Sequence, residues 1–293
     1  MTTEIATLNS DNFAEMAKAM GMSVDMAKDT KAKSSTLPRL RIWNQPVMGQ
    51  VEVKGKQKNM EVVPAGMYRL QMPDGSFIYG ETARIRVFVQ RFMYKRYDAD
   101  AKNYVKTLMA EDLNGDLKDN TGGLNCGKPA GYIQDFQALP DDMKALIKQI
   151  KRVRVLLGEV ELVNAVDGEG NEVASVVHPF IWEIDNKDAF KTMGQPFTML
   201  AKQKRLPVQH HIEVATEERS LPTGASFFLP TATVDFENQI DLTDTDQTTF
   251  SDFIEWINNY NDYIVNAWND KRTQSEEKEI VDDFIDIEVE DEA

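Results

Sequence analysis

In the stretch from Ala83 to Tyr97, cationic and aromatic residues recur at a regular spacing. Residues of these types can bind a charged or stacking ligand. The stretch is typical of one long β-strand, in which alternate side chains lie on the same face of the sheet. One predicted face therefore carries both cations and flat rings, namely Arg84, Arg86, Phe88, Gln90, Phe92, Tyr94 and Arg96. Phosphates need lysine or arginine, and unstacked bases need aromatic faces at about 1–3 kcal/mol per stack, so the pattern predicts a single-stranded nucleic-acid surface. In the alternative interpretation the rings pack beneath a helix and the arginines are solvated.

Two more groups of cations could enlarge this surface. The first predicted strand repeats the alternation of cations and rings, and a second basic group begins near the end of a predicted helix. The members are Arg39, Arg41 and Trp43 in the first group and Lys148, Lys151, Arg152 and Arg154 in the second. Residues 31–110 contain fifteen Lys or Arg and six Asp or Glu, a local charge of +9. Each group alone could be a solvated face, but together they favour contact with a polyanion.

The C-terminal end of the chain has the opposite charge. Residues 274–293 contain ten carboxylates and one lysine, so they carry −9 of the net charge of −15. This composition is typical of a disordered, solubilising tail. However, apolar residues are interleaved with the acids, and such segments can bind a basic, apolar pocket of a partner. The residues predicted to make this contact are Asp282, Asp283, Phe284, Asp286, Glu288 and Glu290. The tail could also cover the chain's own basic strand until nucleic acid displaces it.

The other motifs do not predict a catalytic or metal site. The segment from Gly122 to Lys128 nearly matches a phosphate-binding loop, but Pro129 replaces the hydroxyl residue that would hold magnesium. Cys126 and the three histidines lack the spacing of zinc ligands. We therefore expect no metal, no cofactor and no enzymatic activity. A nuclease or another nucleic-acid enzyme is the weakest of the alternatives.

Composition also indicates the cellular compartment. Cys126 is the only cysteine, which excludes an intrachain disulfide and favours a reducing cytosol. No run approaches the roughly 18 apolar residues of a membrane span, and the start of the chain lacks the pattern of a secretory signal. We expect a cytoplasmic protein without a membrane partner.

The predicted fold class is α+β. Short alternating strands begin at Arg39, a helix begins at Pro140, and a strong hairpin surrounds a glycine-rich turn at residues 167–171. This order suits an OB-like antiparallel β-barrel, whose helix lies between its third and fourth strands. Asp244 and Gln247 form a capping pair for a long amphipathic helix that should dock on the sheet. The expected units are an N-terminal helix and flexible arm over 1–36, an OB-like core over 37–240, a docked C-terminal helix over 241–273 and a disordered acidic tail over 274–293.

Together, the basic aromatic strand and the acidic end resemble bacteriophage single-stranded-DNA-binding replication proteins. The resemblance rests on the face from Arg84 to Arg96 and on residues 276–292. It implies an OB fold and sequence-tolerant binding of single-stranded DNA in phage DNA replication and recombination, in the host cytoplasm. It also implies an acidic C-terminus that recruits a polymerase, helicase or primase and competes with DNA. Some of those proteins end in an aromatic residue, whereas Ala293 is last here, and others hold zinc through a cluster that this chain lacks.

A different class of function fits the same residues. If the rings of the long strand belong to the core, the acidic tail alone would be the binding motif. The chain would then be a non-enzymatic phage interaction protein or a virion-associated protein with no nucleic-acid binding. Burial of Phe88, Phe92 and Tyr94 would favour this alternative.

Overall fold

The computed structural model describes residues 36–221, 224 and 226–288, and the side chains of all of these except 275–288. The N-terminal helix and arm predicted for 1–36 lie outside the described residues except for residue 36, and so does Glu290. The strands are β1 (Arg39–Ile42), β2 (Val47–Val53), β3 (Lys56–Val63), β4 (Tyr68–Gln71), β5 (Phe77–Gly80), β6 (Thr82–Asp98), β7 (Asn103–Lys106), β8 (Lys151–Val163), β9 (Val166–Asp167), β10 (Val177–Ile184), β11 (Ile212–Ser220) and β12 (Ser226–Val234). The helices are α1 (Asp141–Gln149), α2 (Lys187–Thr192), α3 (Gln195–Lys202) and α4 (Asp244–Glu288).

The α+β class is confirmed, with one large sheet at its centre. Nine of its ten strands follow the order β12-β11-β6-β8-β10-β1-β4-β5-β9, and the tenth, β7, pairs with β6. Strands β2 and β3 form a separate hairpin. All pairs in the large sheet are antiparallel except β1 with β10. The predicted OB-like barrel is not confirmed, because no closed barrel exists among the described strands and the sheet ends at β12 and β9.

The sheet nevertheless coils until its two halves touch. The Tyr68 hydroxyl of β4 donates to the carbonyl oxygen of Ala215 in β11 at 3.0 Å. The Thr216 hydroxyl donates to the carbonyl oxygen of Gly66 at 2.8 Å. These contacts use side chains rather than a backbone ladder, so the curved sheet encloses a core without closing into a barrel.

Two hydrophobic cores lie on opposite sides of the sheet. We call the enclosed side the inner face; its core joins the sheet to α2 and α3, and its members include Leu40, Tyr68, Leu156, Trp182 and Leu200. We call the other side the helix face; its core joins the sheet to α4, and its members include Val89, Met93, Leu157, Ile181 and Phe253. Successive strand residues point to opposite sides, so the apolar run in β8 supplies both cores.

The docked helix α4 is confirmed, with an N-terminus one residue earlier than predicted. The capping pair is Thr243 with Asp246, not Asp244 with Gln247. The Asp246 carboxylate accepts from the Thr243 backbone N–H at 2.8 Å, and the Thr243 hydroxyl accepts from the Asp246 backbone N–H at 3.3 Å. This is a reciprocal capping box in which aspartate replaces the usual glutamate.

Polar groups of α4 then fix its path across the sheet. The Tyr260 hydroxyl donates to the carbonyl oxygen of Thr107 at 3.0 Å. The Asn261 amide accepts from the backbone N–H of Met109 at 2.7 Å and donates to its carbonyl oxygen at 3.0 Å. Two turns further along the helix, the Trp268 indole donates to the carbonyl oxygen of Gly123 at 2.9 Å. The helix therefore runs along β6 and then over the glycine-rich loop.

The C-terminal end of α4 corrects the prediction of a disordered tail. The helical backbone continues to Glu288, so the prediction is wrong for residues 274–288. These residues contain neither glycine nor proline, and from Ile280 onwards apolar residues recur at a spacing of three or four. Acidic composition was therefore a weaker guide than helical periodicity. No helix in the described part of the chain is long and apolar enough to cross a membrane.

Candidate nucleic-acid interface

A β-bulge at Phe88 divides the row of residues predicted on β6. Before the bulge, Arg86 lies opposite Glu159 of β8; after it, Val89 rather than Phe88 lies opposite Leu157. One extra residue in a strand moves every later side chain to the other face of the sheet. The prediction that the whole row shares a face is therefore wrong. Arg84 and Arg86, before the bulge, lie on the helix face. Phe92, Tyr94 and Arg96, after the bulge, lie on the inner-face side.

Gly158 in β8 permits this bulge. A Cβ atom at that position would collide with the carbonyl oxygen of Arg86 on the neighbouring strand. Glycine inside an apolar strand often marks a bulge or a close approach of two backbones. The glycine in the sequence of β8 is thus the signal that could have revealed the division of the row.

Arg84 and Arg86 are neutralised by acids that are distant in sequence. The Arg84 Nε atom lies 2.6 Å from one carboxylate, although its side chain is 45% exposed. The Arg86 Nη1 atom also lies 2.6 Å from a carboxylate, and its side chain is only 11% exposed. The carboxylate partners are Glu161 and Glu213 for Arg84, and Glu159 and Asp246 for Arg86. Arg86 thus joins β6 to the first turn of α4, instead of presenting its charge to solvent.

The three rings of the predicted row have different surroundings. Phe88 is buried beneath α4, with its ring centroid 5.7 Å from that of Phe253. Tyr94 is also buried, and its hydroxyl donates to the carbonyl oxygen of Leu113 at 3.2 Å. Phe92 is half-buried. Packing beneath the helix is confirmed for Phe88, and neither Phe88 nor Tyr94 offers a free face to a base in this conformation.

The other predicted cations do not form one cluster either. Arg96 lies 3.2 Å from the carboxylate of Asp98, and Lys151 lies 3.2 Å from that of Asp185. Arg152 is exposed, whereas Arg154 is buried on the inner-face side. Neighbouring residues of a strand point in opposite directions, so adjacency in sequence does not bring these charges together.

The glycine-rich loop that resembles a phosphate-binding loop encloses an internal carboxylate. The Asp119 side chain accepts from the backbone N–H groups of Thr121 and Gly123 at 3.0 Å each. It also accepts from the backbone N–H of Cys126 at 3.2 Å. Three amide donors of the loop are therefore occupied by the protein's own acid. Among the described residues, no group of three His, Cys, Asp or Glu side chains could hold a metal ion.

The outer face of β1, β4 and β5 brings arginines and rings together. Leu40, Tyr68 and Leu70 belong to the inner core, so the residues that alternate with them lie on the outside. Cross-strand pairing aligns two rows there. These rows are Arg39 with Gln71 and Phe77, and Arg41 with Arg69 and Tyr79. We call this surface, together with Trp43, the arginine face; it continues the side of the sheet on which α4 lies, because Arg39 pairs with Ile181.

Arg69 lies between two rings at the centre of the arginine face. Its guanidinium carbon is 3.6 Å from the ring centroid of Trp43 and 4.7 Å from that of Phe77. Burial lowers the pKa of Arg69; Tyr79 raises it in part, and the nearby Arg41 lowers it again. The ring on each side and the second arginine form the alternation of cations and aromatic faces that stacking ligands require.

The arginine face contains polar atoms that lack partners in the part of the chain that the structure describes. Arg39 and Arg41 are exposed, and neither they nor Arg69 forms an ion pair with a described residue. The Nε atom of Arg69 and the indole nitrogen of Trp43 are buried without a hydrogen bond to any described residue. A buried donor without an acceptor costs about 1–3 kcal/mol. Both atoms are closed off from solvent, so a ligand that supplies acceptors would reach them only after these side chains rearrange.

Sequence reasoning identified Arg39, Arg41 and Trp43 but missed their neighbours on the arginine face. The missed residues are Arg69, Phe77 and Tyr79, which lie in the short runs that form β4 and β5. Their alternation was visible, but each run has only four residues and only one carries a cation. Pairing with β1 is what assembles them.

Comparisons with known proteins add no relative to this description. No protein-family model, no curated protein and no solved structure matches the chain.

Proposed function

We propose that this chain binds single-stranded nucleic acid on the arginine face, with little preference for sequence. The observation that carries the proposal is the set of three arginines on one sheet face, among aromatic rings, with no ion-pair partner among the described residues. Arg39 and Arg41 would contact phosphates, and the rings beside Arg69 would stack with bases. A binding mode of this kind needs no catalytic group, so the proposed protein is a binder rather than an enzyme.

The OB-like character predicted for the core is part of the proposal. OB-folds bind single strands on the outer surface of a coiled antiparallel sheet. The coiled sheet of this chain and the exposed arginines of β1 support such a mode without closure into a barrel. The role that we propose for this binding is protection or presentation of single-stranded DNA during phage replication and recombination.

The acidic C-terminal end of α4 is proposed to bind a protein partner rather than nucleic acid. Residues 274–288 continue α4 beyond the contact between Trp268 and Gly123, away from the Asp246 end that lies over β6. As part of a straight helix they would present acids and apolar residues to a partner, such as a polymerase, helicase or primase. Competition with DNA for the same molecule's β6 would require a break in that helix. Recruitment of a partner is therefore the better supported of the two roles.

A second candidate function is that of a non-enzymatic interaction protein, including a virion-associated one. Burial of Phe88 and Tyr94 and neutralisation of Arg84 and Arg86 favour it. These residues were the main sequence evidence for nucleic acid. In this alternative the arginine face would bind an acidic protein surface.

Fluorescence anisotropy with a labelled oligo-dT, followed over a salt titration, distinguishes the two candidates. We expect Arg41→Ala to lower the slope of log affinity against log salt by about 0.7, because one phosphate contact is lost. The double variant Arg39→Ala/Arg41→Ala should weaken binding about tenfold at low salt. Arg84→Ala is the matched control, since it removes an exposed strand arginine that is already paired.

Two results would contradict the proposal. One is a wild-type chain that shows no binding of oligo-dT at low salt, also when shortened to end at Arg272. The other is equal loss of affinity in Arg41→Ala and Arg84→Ala, which would mean that only net charge matters.

A further inference from the structure

An open groove lies on the inner-face side of the sheet, at a distance in the fold from the arginine face. It has a volume of about 610 Å³ and lies between the strands β6 and β8 and the helix α3. The residues that line it include Gln90, Phe92, Arg154, Phe197, Thr198 and Lys202. Its size is within the range of about 300–1,000 Å³ that small-molecule sites occupy. A smaller apolar cavity of about 290 Å³ adjoins it and shares Gln90 and Phe197.

Arg154 is the unusual residue of this groove, because it is a buried charge without a counterion among the described residues. The residue is only 8% exposed and forms no ion pair with any described residue. Its Nη1 donates to the Gln90 side chain and its Nε donates to the carbonyl oxygen of Phe190 at 3.2 Å. No described residue accepts a hydrogen bond from Nη2. Buried charges are ordinarily paired, so the arrangement calls for an anion.

Aromatic rings hold the guanidinium in place. The guanidinium carbon lies 4.7 Å from the ring centroid of Phe190, 5.1 Å from that of Phe92 and 5.7 Å from that of Phe197. Gly194 leaves room for the group, since a Cβ there would lie 2.6 Å from Nη2. The guanidinium is therefore fixed before any ligand arrives, which lowers the entropic cost of binding.

The electrostatics of the groove also favour an anion. Burial lowers the pKa of Arg154 to about 10, so the guanidinium remains charged at neutral pH. Gly194, the residue before α3, lies beside it, and no side chain caps the first turn of that helix, in which Pro196 has no N–H group. The N-terminus of a helix carries partial positive charge. Lys202 adds a second cation to the lining, which contains no carboxylate among the described residues.

We propose that this groove binds a nucleotide, with the phosphate at Arg154 and the N-terminus of α3 and the base against Phe92 or Phe197. The Nη2 group of Arg154, which has no acceptor among the described residues, can donate to a phosphate oxygen, and the half-buried rings provide the apolar wall that a base needs. The site is separate from the arginine face, so the inference does not depend on the proposed function. The nucleotide could be free or could be one unit of a nucleic-acid strand, and the experiment distinguishes these sources.

Isothermal titration with thymidine monophosphate at low salt tests the proposal, using Thr198→Glu and Thr198→Gln. Thr198 is exposed, lines the groove and lies in the first turn of α3, where an acid is favourable for the helix. Both variants lose the hydrogen bond from the Thr198 hydroxyl to Gly194, so they differ in charge alone. We expect the glutamate variant to bind the nucleotide about tenfold more weakly than the glutamine variant. Equal melting temperatures of the two variants would show that the fold is intact.

Thymidine, inorganic phosphate and oligo-dT serve as the other ligands. Binding of thymidine monophosphate without binding of thymidine supports the phosphate contact at Arg154. Equal affinity for inorganic phosphate and for the nucleotide overturns the assignment of the aromatic wall to a base. Absence of nucleotide binding by the wild type, or equal binding by the two Thr198 variants, overturns the site.

The same titrations separate this site from the proposed function. Arg39→Ala/Arg41→Ala should weaken oligo-dT binding and leave binding of thymidine monophosphate unchanged. If oligo-dT binding by the wild type is weakened by Thr198→Glu but not by Thr198→Gln, the groove takes a nucleotide from a strand. If only the free nucleotide responds, the ligand is a mononucleotide.

Discussion

The ion pair between Arg86 and Asp246 gives a test of how α4 is held on the sheet. The Arg86 Nη1 atom lies 2.6 Å from the Asp246 carboxylate, and the two side chains are only 11% and 12% exposed. Asp246 also accepts from the backbone N–H of Thr243 at 2.8 Å. We predict that Asp246→Asn will loosen α4, because it removes the charge but keeps an oxygen for the cap.

The magnitude follows from what the substitution leaves behind. Loss of one partner from a buried pair costs about 3–5 kcal/mol, since the other charge remains in a medium of low dielectric. Two features reduce that cost here: the side-chain amide introduced by Asp246→Asn would still accept from Thr243, and Glu159 remains 3.5 Å from Arg86. We therefore expect the free energy of unfolding at pH 7 to fall by about 2 kcal/mol. For a chain of this size that corresponds to a melting temperature lower by roughly 3–4 °C.

The effect should depend on pH in a defined direction. Burial raises the pKa of Asp246, but hydrogen bonds from Arg86 and Thr243 outweigh it, and the pKa lies below its ordinary value of 3.8. A lowered pKa in the folded state stabilises the protein at pH values above the unfolded pKa. That stabilisation is lost as the pH falls from about 4 through the folded pKa. The difference between wild type and Asp246→Asn should therefore shrink in the same interval.

Urea unfolding followed by tryptophan fluorescence measures these differences. Asp244→Asn is the control, because Asp244 lies in the same first turn but is exposed. It should cost no more than about 0.3–1 kcal/mol, the usual helix-dipole contribution. Equal losses in the two variants would refute the reasoning. Tighter binding of oligo-dT by Asp246→Asn, without a loss of stability, would also refute it. That result would mean that Arg86 is a phosphate-binding cation covered by α4.

Two further predictions concern side chains that the structure buries. Phe88→Ala should lower the free energy of unfolding by about 3–5 kcal/mol, because it leaves a cavity against Phe253. Affinity of its folded fraction for oligo-dT should stay unchanged; weaker binding at full stability would restore the stacking role. Cys126 should react slowly with iodoacetamide at pH 8 in the folded protein and quickly in urea, as measured by mass spectrometry. Burial is the main cause that raises the pKa of its thiol to about 12, Asp119 adds to the shift and Arg96 opposes it; equal rates in the two states would contradict this.

Local signals predicted where two of the helices begin. Helix α1 begins one residue after Pro140, and α4 begins at the residue named as its cap. Both predictions depend on residues within a few positions of one another. The sheet order could not be predicted in the same way. The β1 strand pairs with β10, about 140 residues later, and β6 lies between β8 and β11. No local pattern selects such partners, because register and order depend on how the two cores pack.

The candidate site shows the same limit at the level of single residues. Strict alternation along β6 placed Arg86 and Phe92 on one face, but the bulge depends on Gly158 in another strand. The countercharges are equally distant, since Asp246 follows Arg86 by 160 residues. In contrast, Arg39 and Arg41 were correctly placed on a common face, because their strand is short and regular.

Charge pairing, more than net charge, decides where this acidic chain can meet a polyanion. The net charge of −15 would oppose nucleic acid if the acids were spread evenly. Instead, acids lie within ion-pair distance of Arg84 and Arg86 and remove the positive field from β6. The arginine face has no such partners among the described residues, and the groove at Arg154 has none either. The arginine face and the groove at Arg154 therefore keep their positive charge. Variants of Arg41 test the first surface, and variants of Thr198 test the second.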